Sequence, residues 1–216
     1  EREAYEAELC ATVEAEGAAL LKNENNALPL ASGAKVSLFG HGSVDLMYGG
    51  TGSGSVDTSK APNLKQALEA QGITINQTLW DLYSSDSMMS KYSRLTPASI
   101  SDTLEANTQY AVNEAPWSAL SSAESSFAEY GDAAIVVLSR SGGEGADLPS
   151  GENGTSDSWI SGQEGDGNYL ALSAEEIELL QNLKALKDNG TFKKIVVLIN
   201  SSNAIELDFL NPEICG

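Results

Sequence analysis

Glu144 is the residue of this sequence that is best placed to do chemistry. It stands between glycines in the segment SRSGGEGADLP, from Ser139 to Pro149, directly after the apolar run AAIVVL. Ligands of open α/β sheets bind outside the carboxyl ends of the strands, and flanking glycines let a substrate approach closely. A partly desolvated Glu144 would keep its proton toward neutral pH, as a general acid for a glycosidic or ester oxygen must. The competing interpretation is a solvated acid or a helix cap, and we expect the nearby Asp147 to orient or bind substrate rather than to donate a proton.

A second loop, HGSVDLMYGGTGSGSVD, is dense in glycine and follows the short apolar run from Lys35 to Gly40. It lacks the Gly-Lys-Ser/Thr sequence of a phosphate-binding loop, because Gly54 is followed by Ser-Val, and it lacks the third glycine at the right offset and the helix start of a dinucleotide fingerprint. A mobile surface loop is the plain alternative. Since the loop leaves the carboxyl end of a predicted strand, we expect it to form a wall of the substrate site, with Tyr48 and Ser53 binding substrate.

His41 opens the same loop and is the one histidine of the chain. A Ser–His–Asp hydrolase would need it as the base, but the sequence contains no Gly-x-Ser-x-Gly nucleophile elbow. A structural, hydrogen-bonded histidine is the preferred interpretation. The esterase hypothesis stays open as one that predicts activity of this chain alone on aryl esters.

The chain is strongly acidic, with 12 basic and 31 acidic residues and a formal net charge of −19. Such a charge repels phosphate backbones and anionic membrane surfaces, which argues against nucleic acid as a partner, whereas neutral sugars remain compatible. No run approaches the 18 apolar residues of a membrane-spanning helix. Cys10 and Cys215 stand at opposite ends without closely spaced metal ligands, so no metal and no cofactor is expected. The compartment, cytoplasmic or extracellular, stays undetermined.

Repeated strand–helix alternation predicts the α/β class, as a three-layer α/β/α sandwich with a mainly parallel sheet in one domain, 1–216. The strands are predicted from unalternating apolar runs, which are typical of sheets covered on both faces. They are 35–40, 73–76, 133–138 and 194–200. The predicted helices are 3–21, 63–70 and 173–188, with serine-rich helical pieces between 77 and 130, one of them interrupted by Pro116.

Taken in order, these motifs resemble the C-terminal α/β sandwich domain of family 3 glycoside hydrolases, the β-glucosidase family. The resemblance covers nearly the whole chain and is weakest between residues 77 and 130. It is carried by EGAALLKNENNALPL, KVSLFG, GGTGSGSVD, SRSGGEGADL, LSAEEIELLQNLK and KKIVVLINSSNAIEL. As a set these motifs are specific, although none is so alone.

This resemblance implies that Glu144 is the general acid/base of a retaining β-glycosidase, in the first place a β-glucosidase, that hydrolyses terminal non-reducing β-linked sugars. The family's nucleophile is an aspartate of a (β/α)8 barrel, for which this chain has neither the length nor the repeats. We therefore expect the chain to be a piece of a longer polypeptide that holds the barrel. We also expect it to stop short of the sheet's last strands, and to be inactive alone. The expected substrate is a β-glucoside or a related oligosaccharide.

A non-catalytic carbohydrate-binding or interaction module is the alternative. In that case Trp159, Tyr169 and Tyr48 would serve as platforms on which sugar rings stack. Aromatic residues make up 6% of the chain, which is thin for a dedicated module of this kind.

Overall fold

The chain has an α/β fold with a four-stranded, wholly parallel sheet in the order β2-β1-β3-β4. The computed structural model describes residues 2–50, 52–54, 57–94, 111–143, 169–208 and 210. The strands are β1 (Lys35–Phe39), β2 (Thr74–Ile75), β3 (Ala133–Arg140) and β4 (Ile195–Ser201). The predicted α/β class with a parallel sheet is confirmed.

Helices connect the strands, and four of the α-helices begin after a residue whose side chain caps the first turn. The α-helices are α1 (Arg2–Gly17), α2 (Leu64–Ala70), α3 (Gln77–Tyr83), α4 (Asp86–Lys91) and α5 (Ala174–Asp188). The 3₁₀ helices are His41–Ser43, Gly52–Gly54 and Trp117–Tyr130. The predicted capping box of Ser173 and Glu176 is present, and Asn63 with Gln66 forms another. Within the described residues, no helix is long and apolar enough to cross a membrane.

Apolar clusters cover both faces of the sheet, which makes the arrangement a three-layer sandwich. On one face Phe39, Val136 and Leu138 pack with side chains from α3, α4, α5 and the helix Trp117–Tyr130. On the other face Val36 and Ile135 pack with α2 and the segment before β1. All eight residues of β3 are buried, as the unalternating run AAIVVL predicts for a central strand.

The strand order changes direction between β1 and β3. From β1 the chain crosses to β2 on one side, whereas β3 pairs with the other side of β1 and β4 lies beyond β3. Such a reversal leaves a crevice outside the carboxyl ends of the two strands, where open α/β sheets bind their ligands. The loops after β1 and β3 therefore flank the position at which a ligand is expected.

The predicted boundaries lie within one residue of the structure except at the ends of α1 and β3, and Pro116 also lies in a different place from the one expected. Helix α1 ends at Gly17 rather than Leu21, and its described side chains are exposed, so no packing extends it. Strand β3 continues past Leu138 to Arg140, because buried partners satisfy the guanidinium inside the fold. Pro116 does not interrupt a helix but stands at the N-cap of Trp117–Tyr130, a position where its missing N–H costs nothing.

Candidate functional site

The loops that follow β1 and β3 lie against each other at the carboxyl edge of the sheet, and glycines allow the contact. A Cβ on Gly42 would lie 2.6 Å from Ser139 Oγ, and one on Gly50 would lie 3.0 Å from the carbonyl oxygen of Gly142. A distance of 2.6 Å is shorter than real Cβ contacts, so a side chain at position 42 would force Ser139 or the loop to move. The glycine-rich loop and the start of the segment that leads to Glu144 thus form one surface.

Gly40 makes the turn from β1 into this loop. Its φ of 83° and ψ of 142° lie in a region that side chains rarely adopt, and an added Cβ would stand 2.8 Å from the carbonyl oxygen of Val137 in β3. The end of β1 therefore lies against the backbone of β3, which cannot move aside as a flexible side chain could.

Replacing Gly40 by alanine is expected to lower the free energy of unfolding by more than the roughly 1–2 kcal/mol that a left-handed conformation costs by itself. Gly190→Ala is the matched control, because Gly190 has a φ of 85° and nothing within 4 Å of its added Cβ. Urea unfolding of both variants measures the difference. Equal losses would show that the contact with Val137 has no energetic weight.

Asn200, near the end of β4, ties the glycine-rich loop to β3. Its Oδ1 accepts from the Met47 backbone N–H at 2.6 Å, and its Nδ2 donates to the Met47 carbonyl at 3.0 Å. The Ser139 hydroxyl donates to the same Oδ1 at 3.3 Å. One amide side chain of β4 thereby links the loop after β1 to the end of β3.

A buried cluster of His41, Glu114 and Tyr83 lies beneath the loop. The Glu114 Oε2 accepts from the His41 backbone N–H at 2.9 Å and lies 2.9 Å from His41 Nδ1, but neither ring nitrogen makes a hydrogen bond among the described residues. His41 is 3% exposed. A triad histidine pairs Nδ1 with a carboxylate and Nε2 with the nucleophile, and within the described residues no hydroxyl is hydrogen-bonded to His41 Nε2, so the geometry lends no support to the esterase hypothesis.

Burial, and secondly the Glu114 carboxylate, raises the pKa of Tyr83 well above its ordinary value. The unfolded chain loses this proton near pH 10 while the folded chain keeps it, so stability is constant below that pH and falls above it, by up to about 1.4 kcal/mol per pH unit. We expect Tyr83→Phe to flatten this alkaline loss. Thermal unfolding between pH 8 and 11 tests this, with Tyr130→Phe, outside the cluster, as the control that keeps the slope. An unaltered slope in Tyr83→Phe would contradict the assignment.

Arg140 is the largest fully buried side chain of the described residues, and its guanidinium is satisfied on every side. It forms a two-pronged ion pair with Glu176, at 2.8 Å to Oε1 and 2.7 Å to Oε2. It also donates to the carbonyl oxygens of Ser139, Tyr169 and Ala171. All five N–H groups of the guanidinium are thereby used. We call Arg140, Tyr169, Ser173 and Glu176 the Arg140 cluster.

The sequence-predicted site residues fall into two groups. Glu144 and Asp147 lie outside the described residues, as does Trp159. Tyr48 is 42% exposed in the glycine-rich loop and donates a hydrogen bond from its hydroxyl to the Pro62 carbonyl at 3.0 Å, and Ser53 is exposed in the 3₁₀ helix Gly52–Gly54. Burial, and then Asp45, raises the pKa of Tyr48.

Tyr169 does not suit the role of a stacking platform. It is fully buried, and its hydroxyl contacts Ser141, so no sugar ring can lie on it in this structure. The expectation that Tyr169 is a stacking platform was wrong. An aromatic residue beside a glycine- and serine-rich stretch is expected to be exposed, and the sequence does not show that Arg140 is its partner.

Sequence reasoning missed Arg140, Asn200 and Glu114. The available signal was polar residues at the ends of apolar runs: Arg140 closes AAIVVLSR and Asn200 closes KKIVVLIN. Among the described residues no group of three or more His, Cys, Asp or Glu could hold a metal ion.

The sequence profile of the glycosyl hydrolase family 3 C-terminal domain matches residues 18–215. The chain is similar to β-glucosidase A of Butyrivibrio fibrisolvens, with 34% identity over 146 residues, 65% of this chain and 15% of the relative. It is similar to a β-glucosidase of Ruminococcus albus, with 29% identity over 205 residues, 94% of this chain and 18% of the relative. The chain thus spans less than a fifth of the length of these curated relatives.

Solved structures share the fold. β-Glucosidase 3B of Thermotoga neapolitana, in complex with glucose, superposes with a TM-score of 0.67 at 24% identity, covering 97% of this chain and 26% of that one. A β-glucosidase of Paenibacillus barengoltzii superposes with a TM-score of 0.60 at 23% identity, covering 90% and 18%. The profile match over nearly all of its length establishes that this chain belongs to glycosyl hydrolase family 3, as a C-terminal domain of that family.

Proposed function

We propose that the polypeptide containing this chain is a retaining β-glucosidase and that this domain supplies its general acid/base, Glu144. The observation that carries the proposal is positional: Glu144 directly follows Gly143, which leaves β3 at the reversal of strand order, beside the glycine-rich loop after β1. Family membership and the similarity to two curated β-glucosidases support the same activity.

In this mechanism Glu144 acts twice. It first protonates the glycosidic oxygen while a carboxylate nucleophile attacks the anomeric carbon, which releases the alcohol and leaves a glycosyl ester. It then removes a proton from water, which cleaves that ester and restores both carboxyl groups. Retention requires the two carboxyl groups to be about 5–5.5 Å apart. The proposed nucleophile is an aspartate of a (β/α)8 barrel in the same polypeptide.

Sugar binding by this domain is proposed for Asp147, Tyr48 and Ser53. Tyr48 has an exposed ring, and the hydrogen bond from its hydroxyl to Pro62 fixes the ring's direction at the loop surface. A ring fixed in this way stacks against a sugar at a small cost in side-chain entropy. Tyr48 belongs to the loop whose Gly50 lies against Gly142 and Gly143, which supports a role for it at the proposed site.

The stereochemistry of hydrolysis tests this function. The full polypeptide, mixed with an aryl β-D-glucoside in an NMR tube, is expected to release β-glucose first, with the α-anomer appearing later by mutarotation. Residues 1–216 alone are the control and are expected to release no glucose. The α-anomer as first product would overturn the retaining mechanism, and hydrolysis by the isolated chain would overturn the need for a barrel nucleophile.

A further inference from the structure

We infer that Tyr169 is a positioning residue for Glu144, which it reaches through Ser141 and the support of the Arg140 cluster. The inference rests on the proposed function and deepens it. Ser141 and Tyr169 are 28 positions apart in sequence, on either side of the stretch that contains Glu144, and they are in contact at the carboxyl end of β3.

The first step is the contact between the two ends. The Ser141 backbone N–H donates to the Tyr169 hydroxyl at 3.1 Å, and that hydroxyl lies 3.3 Å from both the carbonyl oxygen and the Oγ of Ser141. Ser141 is 3% exposed and Tyr169 is fully buried, so water does not compete for these contacts. A single phenol hydroxyl therefore fixes the backbone three residues before Glu144.

The second step is the support of Tyr169 itself. Arg140 Nε donates to the Tyr169 carbonyl at 2.7 Å, and the guanidinium carbon lies 5.7 Å from the centre of its ring. Glu176 holds the guanidinium and also accepts from the Ser173 N–H at 2.8 Å, at the first turn of α5. Tyr169 is thus held by Arg140 of the central strand β3, and Arg140 is held by Glu176 at the first turn of α5.

The third step is a second hold on Ser141, at its carbonyl. The Asn203 Nδ2 donates to the Ser141 carbonyl at 3.2 Å, and a Cβ on Gly142 would lie 2.7 Å from that nitrogen. Ser141 is therefore held at its N–H from one side and at its carbonyl from the other. Only Gly142 and Gly143 separate this fixed peptide from Glu144. A proton donor must sit within hydrogen-bond reach of the leaving oxygen, so small displacements of this peptide change the rate.

The test uses a ratio that does not depend on how much enzyme is folded. For the full polypeptide, kcat/KM is measured on phenyl β-D-glucoside, whose leaving group needs a proton, and on 2,4-dinitrophenyl β-D-glucoside, whose leaving group does not. A merely structural role lowers both values in proportion. Loss of positioning lowers the phenyl value alone.

We expect Tyr169→Phe to lower the phenyl-to-dinitrophenyl ratio on the order of tenfold. Tyr130→Phe is the matched control, since it removes a hydroxyl far from this site, and its ratio is expected to equal that of the parent. Asn203→Ala removes the other hold on Ser141 and carries the test should Tyr169→Phe fail to fold. Its ratio is expected to fall in the same direction.

Glu144→Ala distinguishes a failure of the positioning role from a failure of the proposed function. If it lowers the ratio while Tyr169→Phe and Asn203→Ala leave it unchanged, the positioning role is overturned and the proposed function stands. If Glu144→Ala itself leaves the ratio unchanged, the acid/base assignment is overturned, and the positioning role with it.

Discussion

Glu144→Ala in the full polypeptide is expected to lower kcat/KM for glucosides with poor leaving groups by about 10² to 10⁴, the range that general acid catalysis contributes. Glucosides of acidic phenols should lose far less in this first step, because their oxygen leaves without a proton. Plotting log kcat/KM against the pKa of the leaving phenol measures the effect. A slope close to zero in the parent should become steeply negative in the variant.

Azide gives an independent measurement on the same variant. It attacks the glycosyl ester without needing a general base, so it should restore turnover of the dinitrophenyl substrate and yield β-glucosyl azide. Asp147→Asn is the matched control within the same segment. It is expected to weaken binding while keeping the parental leaving-group slope and showing no azide rescue. The parental slope in Glu144→Ala would remove Glu144 from its proposed role.

Arg140→Met is expected to cost about 3–5 kcal/mol of stability, because it leaves the Glu176 carboxylate buried without its cation. Both side chains are essentially inaccessible, at 0% and 2% exposure. Hydrogen exchange of the β3 amides in the full polypeptide measures this directly. Protection is expected to fall by a factor of roughly 10² to 4 × 10³, since each 1.4 kcal/mol is tenfold.

Two further variants give this prediction its controls. Lys184→Met removes a cation from an exposed pair with Asp188 on the same helix, and it should change stability by no more than about 1 kcal/mol. A double-mutant cycle of Arg140→Met with Glu176→Gln should show strong coupling, because the second change removes the charge that the first leaves unpaired. Additive losses, or an Arg140→Met loss as small as that of Lys184→Met, would contradict the importance of the pair.

Much of the fold follows from local sequence patterns. The runs KVSLFG, AAIVVL and KKIVVLIN became β1, β3 and β4, and Ser173 with Glu176 capped α5 as predicted. The serine-rich region between 77 and 130 holds the predicted helical pieces, as α3, α4 and the 3₁₀ helix Trp117–Tyr130, but the expected interruption at Pro116 was wrong, since this residue precedes the last helix. Helix α1 has an apolar stripe in its sequence, yet its apolar side chains, such as Val13 at 62% exposure, stay in solvent.

The candidate site, too, was predicted from local sequence patterns only in part. The sequence predicted that the two glycine-rich stretches follow β1 and β3, because such stretches after apolar runs mark the carboxyl ends of strands, and in the structure these loops lie against each other. It did not predict that Tyr169 would be buried or that Asn200 would bridge to Met47, 153 residues away. Glu144 and Asp147 remain predictions from the motif.

By itself, then, the sequence determined the α/β class, the strands, the caps and the family, since each depends on residues that are near one another in the chain. The tertiary structure alone decided the partners of polar residues: Arg140 with Glu176 across 36 positions, and His41 with Glu114 across 73. The reason is that burial makes an unpaired polar group costly, so a polar residue at a strand end must find a partner, while the order of the strands determines which one is near.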